Sequence, residues 1–298
     1  MMRLCAVAAA VLAALPALAD TAPAKEAEKV IVKTAPAAAL KLLVSSPLGH
    51  ERAKADALKL AALFTEALHR PVHASVVGND DLAKDLAAGK GDLGWLSAMQ
   101  YVEAAKQSQL KVAPVAKLIR GGLPFYRSVL FALKSSKLAT PKDLKGKKIA
   151  FVREDSAAGY LLPRQVLLGA GLTAAELKQH GEFFGDHAAV CKAVAEGRAA
   201  AGATVSNDRA GGAIAGCVET LGAASSGLRV LSISDPIPND VIAVRPGFSS
   251  DDFAALRAVL LGLDKTPEGR AALADVFVSD AFVAGEDSDF ALLRDMLK

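Results

Sequence analysis

Aromatic residues, cysteine and histidine are all scarce in this 298-residue chain: aromatics make up 5% of it, with one Trp, and there are three Cys and five His. No Cys has a CxxC partner, and the histidines are scattered without ligand spacing, so the pattern offers no metal site and none is expected. Basic residues do not interleave with aromatics in any stripe, which argues against nucleic acid as a partner. Beyond the first twenty residues there is no uninterrupted apolar run of the ~18 residues that a membrane-spanning helix needs. The 35 basic and 32 acidic residues nearly balance, so no single-sign face points to a membrane surface either. What is abundant is apolar material, 52% of residues. That is enough for a large core, and about 260 residues suit two lobes.

The N-terminus reads as a cleavable secretory signal over residues 1–19. Arg3 precedes an apolar run too short to cross a bilayer, and Ala17-Leu18-Ala19 supplies a small-x-small cleavage pattern. Cys5 opens the apolar run and does not follow it, so it cannot be the acylated cysteine of a lipoprotein. The mature chain is expected in the periplasm with a net charge of +2, because Arg3 is the only charged residue before position 20. Residues 20–39, rich in Ala, Lys, Glu and Pro, read as a flexible tether. After cleavage only Cys191 and Cys217 remain. In an exported chain they are a candidate disulfide, with two buried thiols as the alternative.

From Leu40 onward the pattern alternates strand and helix. Strands are expected at the apolar run Lys41–Val44 and at Val72–Val77 and Gly94–Leu96, each followed by a helix, at Arg52–Leu68, Asp80–Ala88 and Ala98–Ala105. The layout repeats with strands at Val129–Lys134, Lys148–Val152, Glu182–Phe184, Gly202–Val205, Val230–Ile233 and Val241–Val244. Helices are expected at Gly159–Gly169, His187–Glu196, Asp251–Leu263 and Pro267–Ala274. This predicts an α/β chain with two lobes, mostly parallel sheets flanked by helices, and a ligand cleft between the lobes. The boundaries are lobe 1 over 40–124, with 240–298 returning to it, and lobe 2 over 128–235.

The most informative stretch is 143–163, where a polar turn, a short apolar strand and a small-residue loop open into a helix. Backbone N–H groups and the positive end of the helix dipole converge at such a start and can hold an anionic ligand without a charged side chain. Ser156 is the natural N-cap and Gly159 permits close approach. Ser45 and Ser46 end the first strand on the side of the expected cleft. His50, His69, His73 and His180 read as surface or packing residues.

Tyr126-Arg127-Ser128, Asp143–Val152, Ser156-Ala157-Ala158-Gly159-Tyr160-Leu161-Leu162-Pro163, Phe184-Gly185-Asp186-His187 and Ser234-Asp235-Pro236-Ile237-Pro238 occur in order and at matching spacing. Together they resemble the phosphate/phosphite/phosphonate-binding proteins of ABC importers. The resemblance covers Leu40 to about Ala274. It implies a type II periplasmic binding fold, capture of a small oxyanion, and delivery to an inner-membrane ABC permease, with no cofactor, no catalytic group and a monomeric state. It also implies the site. The family's anion seat is usually Ser-Thr-Ser-Gly and here reads Ser156-Ala157-Ala158-Gly159, two hydroxyls fewer. His187 matches a ligand-donating histidine at a helix start, and Tyr101 falls where the family places a ligand-contacting tyrosine from the first lobe. The family's acidic residue for a ligand amino group has no counterpart near Arg198–Ala201, only Asn207 and Asp208 further on, which disfavours an aminoalkylphosphonate.

Two other readings of the chain are available. One is a ligand-binding module that serves a membrane sensor or partner protein with a lost or altered oxyanion site. The other is an enzyme using Cys191 with His187 on the same helical face, which an exported and potentially disulfide-bonded cysteine disfavours.

Overall fold

The computed structural model describes residues 38–45, 50–109, 111–207 and 214–295. The expected signal peptide, all but the last two residues of the tether, and Ser46 lie outside the described residues. The first part of the chain forms β1 (Leu40–Ser45), α1 (His50–Leu68), β2 (Val72–Val77), α2 (Leu82–Ala87), β3 (Leu93–Leu96), α3 (Ala98–Gln107) and β4 (Ala113–Ile119). The middle forms β5 (Phe125–Leu133), β6 (Ile149–Phe151), a π-helical turn (Ala157–Leu161) running into α4 (Leu162–Gly169), α5 (Ala174–His180), β7 (Gly181–Phe183), α6 (His187–Ala195), β8 (Ala201–Ser206), α7 (Ala215–Leu221) and β9 (Leu228–Ile233). The chain returns through β10 (Ile237–Pro238) to β11 (Val241–Val244), α8 (Ser250–Leu260), α9 (Pro267–Ala272), a second π-helical turn (Leu273–Phe277), β12 (Ala281–Ala284) and α10 (Ala291–Asp295).

These strands build two sheets. One has the order β12-β4-β11-β3-β1-β2, and the other β10-β5-β8-β6-β7 with β9 also on β5. Their central strands are buried on both faces, and this is why those strands carry continuous apolar runs, whereas the edge strands β2 and β7 include His73, Ser75 and Glu182. In β1, Leu42 and Leu43 are fully buried but belong to cores on opposite faces of the sheet. In β5, Val129 and Phe131 face one core, and Leu130 and Ala132 the other.

The expectation of mostly parallel sheets needs correction. Four strand pairings are parallel and six antiparallel. The strands connected through helices, β1 to β3 and β6 to β8, are parallel within each sheet. The segments that pass between the sheets have no crossover helix and run against their neighbours. β5 is antiparallel to β8, β9 and β10, and β11 inserts antiparallel between β3 and β4.

The two passing segments are tied to each other. Ile237 pairs with Tyr126 and Pro238 with Phe125. The buried Asn239 side chain donates to the carbonyls of Leu118 and Leu123, at 3.0 and 2.9 Å. Arg120 pairs with Asp240 at 2.8 Å. In the second lobe Cys191 of α6 and Cys217 of α7 form a disulfide with Cα atoms 5.3 Å apart.

Candidate functional site: a cleft between the two sheets

β6 and β7 are parallel neighbours, and their pairing continues past the strands. Phe184 N–H donates to Phe151 O and Gly185 N–H to Val152 O, both at 2.9 Å. The loops leaving the carboxyl ends of these strands are therefore held side by side, one leading to Ser156 and the other to His187.

At the first loop Ser156 caps the helix, its hydroxyl accepting from Gly159 N–H at 3.0 Å. The first turn is π-helical, with both Tyr160 and Leu161 N–H groups donating to Ser156 O. Pro163 explains part of this geometry. It has no N–H to give the carbonyl of Gly159, four residues earlier, and that carbonyl instead accepts from Val152 N–H at the end of β6, at 3.2 Å. Gly159 is required by the same packing, since a Cβ there would lie 2.3 Å from Val152 Cγ2. The close approach that its glycine permits is thus to β6, and its N–H is taken by Ser156. Ser128 Oγ braces the turn from β5 by donating to Ala158 O at 2.7 Å.

At the second loop Asp186 caps α6 by accepting from Ala189 N–H at 2.7 Å. His187 is the first residue of α6. Its Nδ1 lies 3.0 Å from the buried Thr204 hydroxyl. Burial first, and then the positive charge of Arg153, hold its pKa below the ordinary histidine value, which favours the neutral ring.

Ser156, Ala157 and His187 line a cavity of about 650 Å³ whose other wall comes from the first sheet, through Ser45 and Trp95, and from α3, through Gln100. Ala158 lines a smaller adjoining recess with Ser156, His187 and Tyr126. At the mouth Asn79 Nδ2 donates to Asp155 Oδ2 across the cleft at 3.3 Å, and Gln100 Nε2 steadies Asn79 through two hydrogen bonds. Three carboxylates gather there as well. Loss of hydration, followed by the charges of Asp80 and Asp155, pushes Glu103 upward.

Of the residues singled out from sequence, Ser45, Ser156, Ala157, Ala158 and His187 meet at this cleft, while Gly159 sits behind it. Tyr101 is not among the lining residues, and this corrects its expected position. It is fully buried, donates to Asp287 Oδ1 at 2.8 Å and packs on Phe290 with ring centroids 4.3 Å apart. Burial and then this carboxylate raise its pKa far above the usual phenol. The cleft-facing residues of α3 are Met99, Gln100 and Glu103. One residue further on, a helix turns by about 100° and points Tyr101 at the C-terminal segment instead.

Residues that sequence reasoning missed include Asn79, Arg120, Arg153, Asp155 and Asp240. Tyr126 was visible only as part of a motif. It lines the cleft, and burial, followed by the charge of Asp240, raises its pKa. No group of His, Cys, Asp or Glu suited to a metal occurs among the described residues.

Two helix-flanked sheets joined by paired passing segments, with small-residue and histidine loops side by side on one wall of a cleft, define the architecture of a two-lobed solute-binding protein. The chain belongs to the family of periplasmic substrate-binding proteins of ABC phosphonate transporters, whose sequence profile matches residues 42–290. It is thus a binding component of that transport class. PhnD1 of Prochlorococcus marinus, solved with methylphosphonate, is similar at 21% identity with a TM-score of 0.65, covering 87% of this chain and 96% of that one. A binding protein of an ABC phosphonate transporter from Pseudomonas aeruginosa matches at 19% identity and TM-score 0.64, over 87% of this chain and 85% of its own. A Xanthomonas citri protein bound to chloride matches at 19% identity and TM-score 0.68, over 87% and 95%. At these identities the similarity speaks for the fold.

Proposed function

We propose that the oxyanion end of a phosphonate-type solute is held between the Ser156–Ala157 turn and His187. The observation that carries this reading is that these two loops follow adjacent parallel strands and line one cavity. With Thr204 donating its hydroxyl to Nδ1, His187 carries its proton on Nε2 and can donate to the solute. The two missing hydroxyls also have a structural reason. Ala157 and Ala158 are buried in an apolar cluster with Met99 and Ile237, so the turn serves partly as a packing surface between the lobes. Oxyanion recognition then rests on backbone N–H groups, Ser156 and His187, and no step of chemistry on the solute is involved.

Lobe 1 (40–124 with 240–298) and lobe 2 (128–235) close over the solute about the paired segments near 125–128 and 234–240. The protein is exported through its leader and delivers the solute as a monomer to an inner-membrane permease.

Calorimetry with methylphosphonate tests the seat. His187→Ala is expected to weaken binding about tenfold, the equivalent of one lost hydrogen bond to a charged group of ~1.4 kcal/mol. Ala157→Ser, which adds a hydroxyl on the cavity side, is expected to tighten it by a comparable factor. Affinity unchanged in both variants would remove the oxyanion from this position.

A further inference from the structure

The cleft is larger and less polar than an inorganic oxyanion needs. Five heavy atoms fill roughly the volume of three waters, on the order of 100 Å³ at ~30 Å³ each. The cavity holds about 650 Å³ even though Asn79 and Asp155 are in contact across its mouth. A volume of that size falls among those that take ligands of roughly 300–1,000 Å³. The walls differ in chemistry. Arg153, Ser156 and His187 come from lobe 2, whereas lobe 1 contributes Val44, Ala53, Trp95, Phe277 and Val278. The lobe 1 carboxylates of Asp80 and Glu103 repel an anionic head, whereas on the opposite wall the Asp155 carboxylate is paired with Arg153 at 2.9 Å.

Val278 is the most telling of these residues. It is β-branched yet has φ +47°, a left-handed conformation that such residues rarely adopt. It is 66% exposed and ends the π-helical turn Leu273–Phe277 as its left-handed C-cap, its N–H donating to Leu273 O. The backbone is fixed there by Arg120, whose Nε donates to Val278 O and Nη2 to Phe277 O, both at 3.2 Å, while Asp240 holds the same guanidinium. Phe277 in turn stacks edge-on against Trp95, with ring centroids 5.1 Å apart. The cap and the Arg120 contacts thus hold an exposed apolar side chain at the cavity wall, where a solute can cover it.

We infer that the solute is an organic oxyanion whose apolar substituent, larger than methyl, lies against Trp95, Phe277 and Val278 while its head sits at Ser156 and His187. This rests on the oxyanion reading of that seat. It gives Val278 a specificity-determining role, since in this arrangement Val278 meets the substituent and not the head.

The test compares calorimetric affinities of methylphosphonate, hexylphosphonate and phenylphosphonate for the parent and for Val278→Gly. Glycine accepts positive φ, so the variant keeps or raises its melting temperature and a loss of binding cannot be blamed on unfolding. The expected result is that hexyl- or phenylphosphonate binds the parent at least about tenfold more tightly than methylphosphonate, since each additional buried CH₂ adds favourable apolar burial. In Val278→Gly that advantage falls several-fold and methylphosphonate binding does not change. Methylphosphonate binding as well as or better than the larger probes would overturn the apolar subsite and leave the oxyanion seat standing. An unchanged advantage in Val278→Gly would overturn the role of Val278. Binding of none of the three would overturn the seat and this inference together.

Discussion

Two strand-to-helix turns, one from each lobe, line the same cleft and use their caps differently. In lobe 1, Ser97 and Gln100 form a closed capping box. Ser97 Oγ accepts from Gln100 N–H and Gln100 Oε1 accepts from Ser97 N–H, and the Gln100 side chain is further engaged with Asn79. In lobe 2, Ser156 satisfies Gly159 N–H, and Ala157 and Ala158 have no side-chain hydroxyl or amide with which to close the turn on itself. The first arrangement is a sealed structural cap, while the second leaves its first turn able to meet a solute. A serine before a helix is thus not by itself a binding feature. What distinguishes the two turns is the residue three positions on, Gln in one and Gly in the other.

The lobes also differ in how they are fastened, and that difference can be broken experimentally. Lobe 2 has a covalent staple between α6 and α7, the helix that begins with His187 being one of the two partners. Lobe 1 secures its C-terminal segment through buried polar contacts, Tyr101 with Asp287 and Lys117 with Asp289 at 2.7 Å. The largest effect is expected from Cys191→Ala with Cys217→Ala. Opening a loop with a sequence separation of 26 should cost about 3 kcal/mol, read as a lower denaturant midpoint relative to the oxidised parent. A midpoint equal to that of the parent would mean the staple contributes nothing. Tyr101→Phe is expected to cost less, roughly 1.5–3 kcal/mol for a hydrogen bond to a carboxylate, and to leave methylphosphonate affinity untouched. A loss of affinity without a loss of stability would return Tyr101 to the binding site.

The smallest effect concerns pH. Because the pKa of His187 is lowered in the folded protein, the neutral ring is favoured, and its contribution to stability is present above the ordinary histidine value and declines as pH falls below it. Bound anion reverses the preference, so binding takes up a proton. Relative to His187→Gln, the parent should gain methylphosphonate affinity by several-fold as pH falls from about 7.5 to about 5.5. Parallel pH profiles for the two proteins would show that this ring does not face the anion.

Much of the frame could be read in advance because the central strands are buried on both faces. Val241–Val244 is an uninterrupted apolar run and folds as the strand expected of it, as does Val72–Val77 despite His73 and Ser75. β4 was missed because Pro114 and Lys117 interrupt its run. Lys117 is nonetheless buried, and it can be so only because Asp289, far away in sequence, pairs with it. The same distance hid the Arg120–Asp240 pair and its contact with the backbone at Val278. At the site, the order of motifs drew attention to Ser156 and His187, and both line the cleft. The loss of two hydroxyls was also plain, but its reason, packing of Ala157 and Ala158 on residues of the other lobe, exists only in three dimensions. Tyr101 was misplaced because family position carries no information about which way one helical residue is turned.

The chain has a single tryptophan, Trp95, which lies on the lobe 1 wall of the cleft opposite the Ser156–His187 seat. Its fluorescence during a methylphosphonate titration therefore tests most directly whether an oxyanion held by lobe 2 brings the two walls together. The account predicts a saturable change in the parent and a midpoint shifted about tenfold higher in His187→Ala. Binding that calorimetry detects but Trp95 does not register, or a midpoint that is the same in both proteins, would contradict it.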